Sequence, residues 1–352
     1  MQVLSPVHRS FQTEGFLPSS KAVVTTSANT SSLADVNLPE LGENQVAIKT
    51  ACSGISTGTD KWVISGRFEW GNFAFPLVPG YQRSGVVEAV GSKVKNVKVG
   101  QEVFATASIN YLGATAGWGA HTSYGICEDF EVFDATGIPP ARSAFGVVAQ
   151  VGFNAASRII ANPGDHVLVI GDGIIGASGA LSAKARGFLP LLLGRHDARL
   201  AKIHSLGVRT ANSNTVTQKE LSDFAPIAVI DTVQSPEAFE LYYRALPATW
   251  AAETFGNTRT GIGQIIFSGH TPDGANTWAD MAHLQKQELT VHFVSGWIAN
   301  RLVQTLDLMR TDALSLEKIA TEYPADEAGI EKLFGNIAAG KNPDIAAYIN
   351  WA

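Results

Sequence analysis

Between Lys21 and about Phe133, apolar and polar residues alternate in short runs broken by Gly, Pro and Asn, among them KAVVTTSA, NQVAIKTACSGI, GVVEAVG, EVFATASI and EDFEVF. A period of two sends successive side chains to opposite faces of a strand, so this stretch predicts a compact, mostly β unit with irregular loops. The period then lengthens. In ARSAFGVVAQVGFNAASRII apolar residues recur every three or four positions, the spacing of one helix face, and the run stops before NPGD. Beyond it, strand-like and helix-like runs alternate: HVLVIG, GIIGASGALSAKARG, LPLLLG, DARLAKIHSLG, IAVIDTV, PEAFELYYRAL and GQIIFSG. That alternation predicts an α/β region, a parallel sheet with helices on both faces. IANRLVQTLDLMR and DEAGIEKLFGNIAAG read as helices before the apolar ending IAAYINW, and this tail is expected to pack back on the β unit. Ala248 to Gly263, ATWAAETFGNTRTGIG, reads as a long surface excursion, a lid or a contact loop.

Composition narrows the classes. A chain of 352 residues is too long for one small core, which favours two domains sharing an interface. The 45% hydrophobic and 16% charged fractions describe a soluble globular protein, and a net charge of -6 without a basic run argues against nucleic acid and anionic membrane partners. No segment has the apolar length of a signal peptide or a bilayer span, so a cytoplasmic protein is expected. Cys52 and Cys127, far apart in sequence, exclude a disulfide framework and a site of clustered thiolates; both read best as small hydrophobes.

The strongest motif is HVLVIGDGIIGASG, in which Gly171, Gly173 and Gly176 make G-x-G-x-x-G between a strand and a small-residue helix. The first glycine permits the tight turn, the second admits a pyrophosphate and the third lets helix pack on strand. Asp172, Ile174 and Ile175 fill the intervening positions, and the helix N-terminus offers unpaired N–H groups to the phosphates. Thr232, Ser268 and Gly269, at the ends of later strands, complete the expected cofactor contacts. An NAD site expects an acid about 20 residues after the glycines, to hold the ribose 2′-OH. Here LLLGRHDARL places Gly194 there, followed by Arg195 and His196. Glycine makes room for a 2′-phosphate and a guanidinium can grip it, so NADP(H) is the expected cofactor. The alternative is a solvated Arg195 with Asp197 reaching the ribose, although Asp197 is better placed as an N-cap.

Together, SGISTGTDKW, PLVPGYQRSGVVEAVG, VGQEVF, the glycine motif and the ending INW resemble the medium-chain dehydrogenase/reductase superfamily over nearly the whole chain. SGISTGTDK with PLVPGY is most similar to the branch that contains a bacteriochlorophyllide a dehydrogenase. The resemblance implies a GroES-like catalytic domain at residues 1–145 and 296–352, a Rossmann-type domain at 146–295, an active site in the cleft between them, and a homo-oligomer, dimer or tetramer. Zinc-dependent members carry Cys in G-[IV]-C, His and Glu in G-H-E, and a third ligand before the nucleotide domain. This chain has Ser56, then Tyr81 with Gln82, and approximately Val151 at those positions, and it lacks the four-cysteine lobe. Serine, tyrosine and valine do not make a zinc site, so no metal is expected.

Without a Lewis acid the protein must itself supply a proton donor or acceptor. The aligned position nominates Tyr81, whose bland alternative is a packed turn residue. Gln82 cannot titrate and is expected only to orient substrate. Thr57 and Thr59, flanking Gly58 on a loop, either bond a substrate hydroxyl or cap the turn. Lys61 either pairs with Asp60 or stabilises negative charge, and His121 either contacts substrate or is a satisfied core histidine. Trp62, Phe68, Trp70, Tyr111, Trp118 and Trp297 fall in loops that the resemblance places around the cleft, which favours a flat or ring-shaped substrate such as a sugar, cyclitol or polycycle. The implied reaction is interconversion of a secondary alcohol and a ketone. The alternatives are reduction of an activated C=C bond, as in quinone-reductase-like members, and a non-catalytic dinucleotide-binding protein.

Overall fold

The structure, a computed structural model, describes residues 19–68, 71, 73–246, 263–269, 280–341 and 343–352. Trp70 and nearly all of the excursion from Ala248 lie outside the described residues. Among the described residues the strands form three sheets, two of them in the part of the chain that reads as the β unit.

The larger of those two is centred on Gln45–Gly54, which pairs with Arg83–Val90 on one side and with Tyr124–Glu128 and Ala346–Asn350 on the other. The last strand is the returning tail: Asn350 lies opposite Cys52, and the Trp351 N–H donates to Ala51 O. The helix Glu327–Ala339 brings the chain there. Its N-cap Asp326 accepts from the Gly329 N–H, and it ends at Gly340 with φ +67°, a left-handed cap that suits glycine. Ile330, Leu333, Phe334 and Ile337, at three- and four-residue spacing, are its buried stripe against Val23, Ile55 and Ile349.

The third sheet has six strands, all parallel, and its central strand His166–Ile170 is flanked by Leu189–Gly194 and Ala228–Asp231. Outward from these lie Arg209–Asn212 on one side and Gln264–Ser268 then Thr290–Val294 on the other. Numbered by sequence within the sheet, the order is 3-2-1-4-5-6, that of a doubly wound dinucleotide fold. Both faces are covered: Val167, Val169 and Leu192 enter one core and Leu168, Ile170, Leu191 and Leu193 the other. This explains strands that read as continuous apolar runs.

Two local expectations need correction. The stretch after Ser56, read as a loop, is the helix Thr57–Ile64, whose first turn hides its periodicity behind short polar residues and Gly58. The long helix across ARSAFGVVAQ is two, Pro140–Ser143 and Gly146–Ser157. The break is a close approach: a β-carbon on Gly54 would lie 2.3 Å from the Ala144 carbonyl oxygen.

Candidate active site

The carboxyl ends of the parallel strands open onto a cleft of about 1000 Å³ whose facing wall carries the helix Thr57–Ile64, Tyr81, Thr106 and Trp118. The reversal of strand order on either side of His166–Ile170 makes this end of the sheet the place for a ligand.

The glycine loop follows that central strand, and each glycine has a separate reason. Gly171 has φ +117°, and a β-carbon there would lie 2.3 Å from Thr232 Oγ1, whose hydroxyl donates to Ile170 O at 2.7 Å. A β-carbon on Gly176 would meet the Gly171 carbonyl at 2.0 Å. Gly173 is different: nothing lies within 4 Å of the place its β-carbon would take, and it caps the helix Ile174–Ala185 with no side-chain hydrogen bond. The open space and the uncapped N–H groups face the cleft, together with Ile174, Ile175, Thr232 and Gly269. Ser268, also on the wall, is fully buried, and its hydroxyl has no hydrogen-bond partner among the described residues. An orphaned donor and a vacant glycine cradle fit a pyrophosphate-bearing ligand.

At the end of the second strand the structure departs from the expectation. Gly194, Arg195 and His196 do not line the cleft, and the Arg195 side chain is exposed. The cation on the wall at this end is Arg199, in the first turn of the helix Asp197–Ser205, which also donates to Pro343 O at 3.2 Å. Nothing in its spacing from the glycines singles it out in the sequence. Asp197 is the first helical residue rather than the cap, and it accepts from Asn212 Nδ2 at 2.6 Å. The carboxylate beside the strand end is that of Asp172. Burial raises its pKa, but hydrogen bonds from His196 and Arg195 outweigh this and hold it below the ordinary value. Position 194 carries no acid, the Asp172 side chain lies against it, and the Arg195 side chain is exposed beside the strand end.

On the facing wall Tyr81 lines the cleft, as do Ser56 and Thr59, whose hydroxyls lie 3.4 Å apart. Burial pushes the Tyr81 phenol well above its ordinary value; the two hydroxyls oppose the shift and nearby Asp60 adds to it. Thr57 and Lys61 line the cleft as expected. Asp60 does not pair with Lys61. It accepts from the Ser56 N–H at 2.8 Å and stands 3.5 Å from His121 Nε2.

His121 and Gln82 are corrected from substrate contacts to framework. His121 is fully buried under Gly80, where a β-carbon would come within 2.6 Å of the ring, and its Nδ1 lies 3.0 Å from Ser53 Oγ. Gln82, equally buried, accepts from the Val147 and Val148 N–H groups at 3.2 Å each, so it caps the helix whose start is broken at Ala144. Replacing it with leucine keeps the volume and leaves those donors unpaired. Chemical denaturation of Gln82→Leu is expected to show a loss of about 2–4 kcal/mol in unfolding free energy.

Trp62, Phe68 and Trp118 line the cleft beside Tyr81. Trp118 stands edge-on to Tyr81 with ring centroids 5.6 Å apart and to Phe68 at 4.9 Å. Its φ of +64° is uncommon for a bulky residue and is held by the Ser108 N–H on its carbonyl at 2.6 Å. Tyr111 is not on the wall: it is buried, and its hydroxyl donates to Gly119 O at 2.7 Å, bracing the loop that presents Trp118. Trp297 lines the cleft from beside the nucleotide sheet, edge-on to Phe133. The sequence reading missed Glu131 and Thr106. Glu131 reaches the wall from a short turn, and burial raises its pKa.

Residues 42–149 match the model of the alcohol dehydrogenase GroES-like domain. A 2-desacetyl-2-hydroxyethyl bacteriochlorophyllide A dehydrogenase from Cereibacter sphaeroides is 25% identical over 319 residues, 87% of this chain and 91% of that one. The solved 2R,3R-butanediol dehydrogenase from Bacillus subtilis superimposes with a TM-score of 0.77 at 19% identity, over 94% of this chain and 99% of that one. The chain is thus similar to dehydrogenases of this fold over most of its length. A 2-methylene-furan-3-one reductase from Solanum lycopersicum is 27% identical over 174 residues, and the match spans 45% of the length of each chain. Ser56, Tyr81 and Val151 all line the cleft. Among the described residues no three His, Cys, Asp or Glu side chains come together as a metal-binding group. Cys52 and Cys127 are both buried and free. Among the described residues no helix is long and apolar enough to cross a membrane.

Proposed function

We propose that the protein is a zinc-independent oxidoreductase that uses a nicotinamide dinucleotide to interconvert a ketone and a secondary alcohol on a ring-bearing small molecule, with Tyr81 as the proton donor. The observation that carries this reading is the phenol itself, set in the cleft wall opposite the glycine loop beside the hydroxyls of Ser56 and Thr59. When bound, the nicotinamide supplies or accepts the hydride. The chain's own residues do the rest. The glycine loop and Ser268 hold the pyrophosphate end, the Trp62, Phe68 and Trp118 rings give a flat substrate an apolar wall, and Tyr81 meets the substrate oxygen. The donor set of serine, tyrosine and valine supports independence from zinc.

Burial keeps the phenol protonated, the form that can donate to a ketone oxygen. Because the shift is upward, Tyr81 stays protonated beyond the range where an ordinary phenol, pKa about 10, would ionise. The kcat for ketone reduction is expected to stay flat from about pH 7 to about pH 10; a decline with its midpoint near pH 10 would mean that the phenol is not desolvated.

The likeness to a 2-methylene-furan-3-one reductase supports a second reading, in which hydride goes to the carbon of an enone and Tyr81 binds its carbonyl oxygen. Matched cyclic ketones and enones, assayed by nicotinamide oxidation, separate the two. Turnover of the enone alone would replace the first reading with the second.

A further inference from the structure

Gly194 ends the second strand of the nucleotide sheet, where a side chain would point toward the ribose of a bound dinucleotide. That space is filled. A β-carbon on Gly194 would lie 2.3 Å from Asp172 Cβ, 2.7 Å from Cγ and 2.5 Å from Oδ2. The Asp172 side chain therefore crosses from the glycine loop into the volume that an acidic residue at position 194 would use, and glycine is the residue that lets it do so.

Its bonds fix it there. Oδ2 accepts from the Arg195 N–H at 2.8 Å, the His196 N–H at 2.9 Å and His196 Nδ1 at 2.9 Å. Oδ1 lies 3.2 Å from His196 Nδ1 and 3.5 Å from Arg199 Nη1. Oδ2 is thus saturated and Oδ1 retains acceptor capacity, while Asp172 itself lines the cleft.

We propose that Asp172 takes the place of the strand-end acid, reads the 2′-hydroxyl of the adenosine ribose and selects NAD(H) over NADP(H). This rests on the dinucleotide reading given above. Two effects act together. A carboxylate accepts from a sugar hydroxyl but repels a 2′-phosphate in a partly desolvated site. The two backbone N–H groups that would otherwise serve that phosphate, those of Arg195 and His196, are already bound to Asp172. Arg199, the cation that reaches this carboxylate, lies 3.5 Å from Oδ1, and the His196 ring lies against Oδ2.

The test is direct titration of the full chain with NADH and with NADPH, followed by quenching of tryptophan fluorescence at one fixed ionic strength. The wild type is expected to bind NADH tighter by on the order of 100-fold. Asp172→Asn keeps the shape and removes the charge, so the ratio should fall at least about tenfold, mainly through a gain in NADPH affinity. Asp172→Ser, which leaves the backbone donors open, should move the ratio in the same direction. If Asp172 only braces the loop, both variants weaken the two nucleotides equally and the ratio stays put, which overturns the assignment. A wild type that prefers NADPH overturns it as well, while leaving the dinucleotide reading intact. Binding of neither nucleotide overturns both.

Discussion

Gly173→Val is expected to abolish dinucleotide binding while leaving the fold as stable as before. The position has φ -91°, open to any residue, and no protein atom lies within 4 Å of the new β-carbon. The added side chain therefore meets no protein neighbour at its β-carbon and fills the cradle that a pyrophosphate needs. We expect at least a hundredfold loss of NADH affinity, about 2.8 kcal/mol, with the denaturation midpoint close to that of the wild type. Gly176→Ala makes the contrast, because its β-carbon would come 2.0 Å from the Gly171 carbonyl. That variant should lose stability and binding together. Equal stability losses in the two variants, or NADH affinity retained in Gly173→Val, would remove the phosphate cradle from the account.

The second large effect falls on the opposite wall. Tyr81→Phe keeps the ring edge-on to Trp118, where the centroids are 5.6 Å apart, and deletes only the hydroxyl that, in the proposed mechanism, gives its proton to the substrate oxygen. Removing a positioned general acid lowers turnover by about 10²–10⁴-fold, and the loss should appear in kcat with little change in KM. NADH binding should be unaffected. A variant that raises KM alone would show that the phenol holds substrate without donating to it.

Much of this architecture is legible in the chain before any coordinate. The period of two, its lengthening at ARSAFGVVAQ and the later alternation of strand and helix follow from which faces must be buried, and each is found in the fold. The glycine loop is equally readable, since Gly171 and Gly176 each answer a local steric demand and Gly173 leaves the space between them open. The failures concern partners brought from far along the chain. Gln82 looks like a polar residue next to a catalytic one, yet its carbonyl oxygen meets N–H groups at Val147 and Val148. His121 looks like an available imidazole, yet Ser53 and Asp60 enclose it. Gly194 looks like a deleted acid until Asp172, contributed by another turn, is seen in its space. Local pattern reports on which face of an element is buried and carries no record of which distant atom satisfies a given donor.

We propose that Tyr81 handles the proton in a cleft where, among the described residues, no three His, Cys, Asp or Glu side chains come together. This is tested most directly by following reduction of a cyclic ketone by NADH with protein dialysed exhaustively against a chelator, wild type beside Tyr81→Phe. The account predicts that the dialysed wild type retains full activity, that added zinc changes nothing, and that the variant falls by at least about a hundredfold. Activity lost on dialysis and restored by zinc, or an equally active Tyr81→Phe, would contradict it.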